Sequence, residues 1–224
     1  MTHLAVDERH ALAETLRSVE PDSPTLCGDW TAAQLAAHLV LRERSVAEMS
    51  GRLPVRALQR RAERGMDDFA ARTPYADLVR AIEAGPSWHD LVGPVPVAWI
   101  WSIPAVREQA NLLEYLVHHE DVRRAAPGWE PRALPADVQA AVWKKLPGLI
   151  RLTMRGAQPG VALHSPGHGT LRTPRARRDG TAVTVSGAPV ELALFAFGRQ
   201  AVAQVSYDGS PDDVAKARGA RLGI

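Results

Sequence analysis

The sequence predicts an α+β protein: a helical bundle over residues 1–155, followed by a small α+β domain over residues 156–224. Three observations carry that expectation. Through most of the first 155 positions apolar residues recur at helical spacing, three or four apart, as amphipathic helices require. Beyond Arg155 the chain turns glycine- and proline-rich, and its apolar runs shorten and alternate as strands do. The bulk composition, 46% hydrophobic and 23% charged over 224 residues, is that of a globular chain long enough for one large domain or two small ones.

Residues 3–19 set Leu4, Leu12, Leu16 and Val19 among charges, an amphipathic helix that Pro21 and Pro24 close. Thr31-Ala-Ala-Gln34 is a capping box, in which the Thr hydroxyl and the Gln amide satisfy free backbone groups of a first turn. The helix it opens is expected to reach Ser50, before Gly51. Two further helices are expected over 55–72 and 75–84, the second broken by Gly85-Pro86. The stretch 86–104, with Trp88, Trp99 and Trp101 among prolines, reads as an aromatic loop, a lid or a pocket wall. Residues 105–125 form the strongest helix, ended by Pro127-Gly128. A sixth helix runs from Pro135 to about Arg155, and Pro147 inside it predicts a kink or a split. In the second domain the pattern predicts strands at 161–164, 169–173 and 181–186, a short apolar helix at 190–200, a strand at 202–207 and a terminal helix at 211–220.

Lys and Arg number 27 against 25 Asp and Glu, a net charge of +2 without a long basic block, which excludes a strongly electrostatic nucleic-acid clamp. Cys27 is the single cysteine, so a disulfide framework and a Cys-rich zinc site are excluded, and a reducing compartment is the natural reading. Any metal must be bound by His and carboxylates. No apolar run approaches the ~18 residues of a membrane span, and the N-terminus is polar and helical in pattern rather than a signal peptide. The expectation is a cytoplasmic monomer or homodimer with no membrane or nucleic-acid partner.

On the 105–125 helix, at ~100° per residue, Asn111, Glu114, His118 and Asp121 fall on one narrow stripe, bordered by Ala110 and Val117 on one side and Tyr115 and Val122 on the other. A solvated polar face has no such apolar borders. Burying a carboxylate and an imidazole demands compensation, and a divalent metal supplies it. Glu114 and His118 stand one turn apart, so their side chains can converge on one ion. His38, between Leu35 and Leu41 on the second helix, is a third polar group among apolar neighbours. Two His and one Glu make the ligand count of a catalytic zinc site with an open position, and their softness suits zinc, nickel or cobalt better than magnesium or calcium. Asp121, a turn beyond His118, is placed to hold its other ring nitrogen. A Glu-x3-His pair is equally the pattern of a surface pair or a satisfied core pair, and His38 that of a packed core histidine; spacing alone leaves these open. His119 lies ~100° round from His118 and reads as a rim residue. His10, His89, His164 and His168 show no ligand-like spacing. Cys27, with no basic group placed beside it by sequence, reads as a small apolar residue, and Trp30 as the packing anchor of the His38 helix.

Two segments, Thr25-Leu-Cys-Gly-Asp-Trp30-Thr with Leu35-Ala-Ala-His38-Leu, and Glu114-Tyr-Leu-Val-His118-His-Glu-Asp121-Val, resemble the signature of the DinB-like metal-binding up-down four-helix bundle, in its mycothiol-dependent maleylpyruvate isomerase branch. There a Gly-x-Trp-[ST] turn precedes a helix bearing the first His ligand, and a Glu-x3-His on a later helix completes the site; those positions fall on His38, Glu114 and His118. Val185-Ser-Gly187-Ala-Pro-Val-Glu191-Leu, followed by Phe197-Gly198-Arg199, is similar to the branch's small C-terminal domain. His119-Glu120 and the Trp/Pro-rich stretch 86–104 depart from the isomerase pattern.

The resemblance implies mycothiol as a thiol cosubstrate and a small acidic or electrophilic substrate. The thiolate would add to a cis double bond, permit rotation and leave in an isomerase, or stay on an electrophilic carbon in an S-transferase. An arginine would hold the substrate carboxylate. Arg199 is the first candidate through the Gly198-Arg199 match, and Arg42, one turn after His38, the second. A non-catalytic metal-binding or thiol-sensing protein, a metal-dependent hydrolase and a bundle with a buried polar network are the other readings.

Overall fold

The computed structural model describes residues 4–44, 56–85 and 104–223. They divide into two compact units, Met1–Trp129 and Glu130–Ile224. This division precedes the boundary expected after residue 155. The helix spanning residues 136–153 joins the second unit because its apolar face packs on a helix of that unit, α8 below.

The first unit is helical: α1 (Leu4–Arg17), α2 (Ala32–Arg44), α3 (Arg56–Arg72), α4 (Tyr75–Ala84) and α5 (Pro104–Arg123). The expected run of α2 to Ser50 and the aromatic loop, with Trp88, Trp99 and Trp101, lie outside the described residues. Leu12 and Leu16 of α1 are fully buried, and α1 packs on α4 and α5 while α2 packs on α3 and α4. The capping box forms as expected: Thr31 N–H donates to Gln34 Oε1 at 2.9 Å and Gln34 N–H to Thr31 Oγ1 at 3.3 Å. A loop between α1 and α2 is strapped to α5 by Leu26 N–H donating to the Asp121 carbonyl at 3.1 Å.

α5 is not amphipathic in the ordinary sense. From Asn111 to Val122 every residue but Leu113 is buried, the polar ones included. Burial on several sides therefore forces each polar side chain to find a partner within the protein. Glu120 takes Arg124 Nε at 2.6 Å and Arg123 at 3.3 Å, and the Arg124 guanidinium lies 4.6 Å from the Trp129 ring centroid.

The second unit comprises α6 (Ala136–Thr153), β1 (Val161–Ser165), β2 (Gly169–Arg172), α7 (Pro174–Asp179), β3 (Val183–Ser186), α8 (Pro189–Ala196), β4 (Ser206–Gly209) and α9 (Pro211–Arg218). The sheet order is β2-β1-β3-β4, antiparallel at both edges and parallel at β1–β3. All of α8 is buried, in keeping with a sequence that is apolar but for one residue. Its sole carboxylate, Glu191, accepts Gln204 N–H at 2.8 Å.

Three expectations change here. α6 continues through Pro147 as one helix, so the split is not found. The last strand begins at Ser206 rather than 202, because the Val202 and Ala203 amides turn back onto the Arg199 carbonyl. The short α7 was not foreseen, although Thr173 caps it with a hydroxyl that accepts Ala176 N–H and Pro174 fills its first turn. No helix among the described residues is long and apolar enough to cross a membrane.

The Glu120–Arg124 pair gives the fold a measurable weak point, since both side chains are 1% exposed. Arg124→Met leaves the buried Glu120 carboxylate with the more distant Arg123 in place of its 2.6 Å partner and is expected to cost about 3 kcal/mol, while Glu120→Gln/Arg124→Met together cost less than the single change. Urea unfolding of the wild type and the two variants checks this.

Candidate metal centre

α2 and α5 present the polar stripe to one another. Trp30, at the turn before α2, packs its ring on His38 with centroids 5.0 Å apart, and His38 meets His118 edge to face at 5.4 Å. Trp30 thus acts as the anchor the sequence suggested. One nitrogen each from His38 and His118 and one Glu114 oxygen lie within 4.8 Å of one another. All three expected ligands are brought together across two helices.

Buried beneath them is a chain of hydrogen bonds. Asp121 is fully buried and its Oδ2 lies 3.0 Å from His118 Nδ1. With Nδ1–H donated to this carboxylate, Nε2 is the ring nitrogen that faces Glu114, carrying a proton when the ring is charged and a lone pair when it is neutral. Glu114 Oε2 is 3.4 Å from His118 Nε2, and its Oε1 is 3.3 Å from Arg42 Nε. Arg42 also donates from Nη1 to Asn111 Oδ1 at 2.9 Å. Asn111, the outer member of the stripe, thereby fixes the arginine that flanks the ligand carboxylate. Arg42, the second candidate for the substrate carboxylate, is engaged with Glu114 and Asn111.

Two sequence readings are corrected. His119 is 3% exposed rather than on the rim, held by Glu8 Oε1 on Nδ1 and Thr15 Oγ1 on Nε2, both at 2.7 Å. The reason is the all-round burial of α5, whose adjacent face packs on α1. Cys27 is more than an apolar filler: its Sγ donates to Asp121 Oδ2 at 3.0 Å and lies 3.5 Å from His118 Nδ1. The strap from Leu26 to the Asp121 carbonyl puts it there, a tertiary contact with no local sequence signal.

The residues fit a divalent ion. Ligands at about 2.0–2.1 Å in tetrahedral array subtend edges of roughly 3.3 Å, close to the 3.4 Å Glu114–His118 separation. Two imidazoles and one carboxylate form a three-donor set that leaves a position for an exogenous ligand. Without an ion, burial disfavours the protonated His118 ring, but contacts with Asp121, Cys27 and Glu114 outweigh burial and raise its pKa well above the usual 6.5. Arg199 belongs to the second unit, where its Nη1 donates to the Phe197 carbonyl at 2.6 Å beside Gly198. A Cβ at Gly198, with φ +87°, would come within 2.6 Å of the Leu222 carbonyl, so the Gly-Arg pair is conformationally required at its first position.

Residues 2–123 match the family model for the mycothiol maleylpyruvate isomerase N-terminal domain. Among solved structures, the crystal structure of the mycothiol-dependent maleylpyruvate isomerase aligns with a TM-score of 0.61 at 17% identity, covering 94% of this chain and 92% of that one. A histidine-to-alanine mutant form aligns with a TM-score of 0.62 at 16% identity and the same coverage. At these identities the likeness establishes the fold. No curated protein matches the sequence.

The raised His118 pKa means that, in metal-free protein, this ring stabilises the fold fully below about pH 6.5 and ceases to do so as pH rises through the higher folded value. Asp121→Asn removes the largest upward influence and is expected to lower the His118 pKa. Titration of the ring protons by NMR in metal-free wild type and variant reads the shift.

Proposed function

The chain belongs to the mycothiol maleylpyruvate isomerase N-terminal domain family, and from that premise we propose a metal-dependent enzyme that uses a small thiol, mycothiol, on a small acidic or electrophilic substrate. The observation that carries the reading is the convergence of His38, Glu114 and His118 within 4.8 Å beneath a family match that spans all three. These residues would hold the ion, zinc by the softness of two imidazoles with nickel or cobalt as the alternatives, and its Lewis acidity would lower the pKa of a thiol so that a nucleophile exists at neutral pH.

The chain's own residues do the rest. Asp121 keeps the His118 proton on Nδ1, 3.0 Å away, and so keeps Nε2 available. Arg42 offsets the Glu114 charge and, tied to Asn111, limits the carboxylate's rotation, which makes it a positioning residue. Trp30, its ring tilted against His38, covers one side of that imidazole. Arg199 is assigned the substrate carboxylate, on the strength of the Gly198-Arg199 segment. A thiolate adding to a cis-alkene carbon leaves a single bond free to rotate; expelling the thiolate restores the double bond in the trans form, with no net change in atoms or electrons. Retention of the thiol on carbon would make the same chemistry an S-transferase.

Incubation with mycothiol and maleylpyruvate tests the reading. Conversion to the trans isomer with thiol unconsumed establishes an isomerase, and thiol consumption with an electrophile establishes a transferase. No thiol dependence with any substrate would overturn both and leave a non-catalytic or hydrolytic centre. Elemental analysis is expected to find about one divalent ion per chain, lost in folded His38→Ala and His118→Ala proteins. Arg199→Ala is expected to keep the metal and lose no more than about 1 kcal/mol of stability while turnover collapses. A larger stability loss would make Arg199 a structural residue.

A further inference from the structure

The second unit contains a cavity of about 170 Å³ that the proposed activity does not use. Its wall is apolar: Pro147 and Ile150 of α6, Leu171 of β2 and Pro174 of α7. The side chains of Arg151, Arg172 and Arg177, all at exposed positions, complete the lining, and no carboxylate lines the hollow. None of the three forms an ion pair with an acidic residue among the described residues, although the neighbouring Arg175 pairs with Asp179 at 3.5 Å. Arg177 is held in place by Nε donating to the Arg172 carbonyl at 3.2 Å. Pro147 forms part of the same wall. A proline inside a helix gives up a backbone hydrogen bond and crowds the preceding turn, and here its ring supplies rigid apolar surface to the cavity.

We propose that this cavity is a binding site for a small organic anion: a carboxylate or phosphate head held by Arg151, Arg172 and Arg177, on an apolar body no larger than a single ring. The size follows from volume, since a hollow of roughly 150 Å³ accommodates benzene. The head group follows from the guanidinium fork, which matches carboxylate and phosphate oxygens in pairs. The requirement for both parts follows from their adjacency: arginines alone would bind any anion, and an apolar hollow alone would bind neutral rings equally well.

Calorimetric titration of the full chain with benzoate, phenyl phosphate, benzyl alcohol and inorganic phosphate tests the proposal. Saturable binding of benzoate or phenyl phosphate at one site supports it, and the tighter of the two identifies the head group. Arg151→Gln and Arg177→Gln, both at exposed positions, are each expected to weaken that binding about tenfold with the circular dichroism spectrum unchanged. Benzyl alcohol binding as tightly as benzoate, inorganic phosphate binding as tightly as phenyl phosphate, no binding by either ring anion, or full affinity in the Arg151→Gln/Arg172→Gln/Arg177→Gln protein would each overturn it.

Discussion

The first unit is organised around one fully buried carboxylate. Asp121 has no access to water, and an ionised carboxylate in that position is tolerated only when its oxygens are occupied by donors. Its Oδ2 takes the His118 ring nitrogen and the Cys27 thiol, and its backbone carbonyl takes the Leu26 amide. These contacts fix a side-chain tautomer, a cysteine and a loop at once. The orientation of His118 toward Glu114 and His38 therefore depends on a residue that does not belong to the ligand set.

The same need for internal partners explains the density of polar residues on α5 and at its C-terminal end. Asn111, Glu114, His118, His119, Glu120, Asp121 and Arg124 are all buried. Each is answered locally or by one neighbouring helix: Arg42 from α2, Glu8 and Thr15 from α1, and Trp129 beyond the helix end. Such partnerships make the packing register specific, because a slip of one residue on α5 would leave several charges unpaired together.

How much of this is legible in the sequence varies with range. The stripe on α5, the capping box at Thr31 and Gln34 and the ligand trio are periodic or short-range signals, and the helices, strands and candidate centre appear where those signals lie. His119 and Cys27 are decided by which face of α5 meets α1 and by a loop strap, neither of which leaves a trace in local spacing. The domain boundary has the same origin: glycine and proline mark the change of texture after Arg155, but α6 chooses its unit through α8, far along the chain. α7 is the opposite case, where Thr173-Pro174 announced a helix too short for periodicity to show.

The two halves of the centre are far apart in the chain: Arg42 and Asn111 are 69 positions apart, and Cys27 and Asp121 are 94. Closing such long loops is an entropically late event, after the local helices have formed. During synthesis, α2 and its thiol-bearing loop leave the ribosome well before α5 is available to cover them. The growing chain passes through a stage in which Cys27 and His38 are exposed together without Asp121, Glu114 or His118. An ion captured then would meet a different and weaker set of donors than the one the completed chain presents.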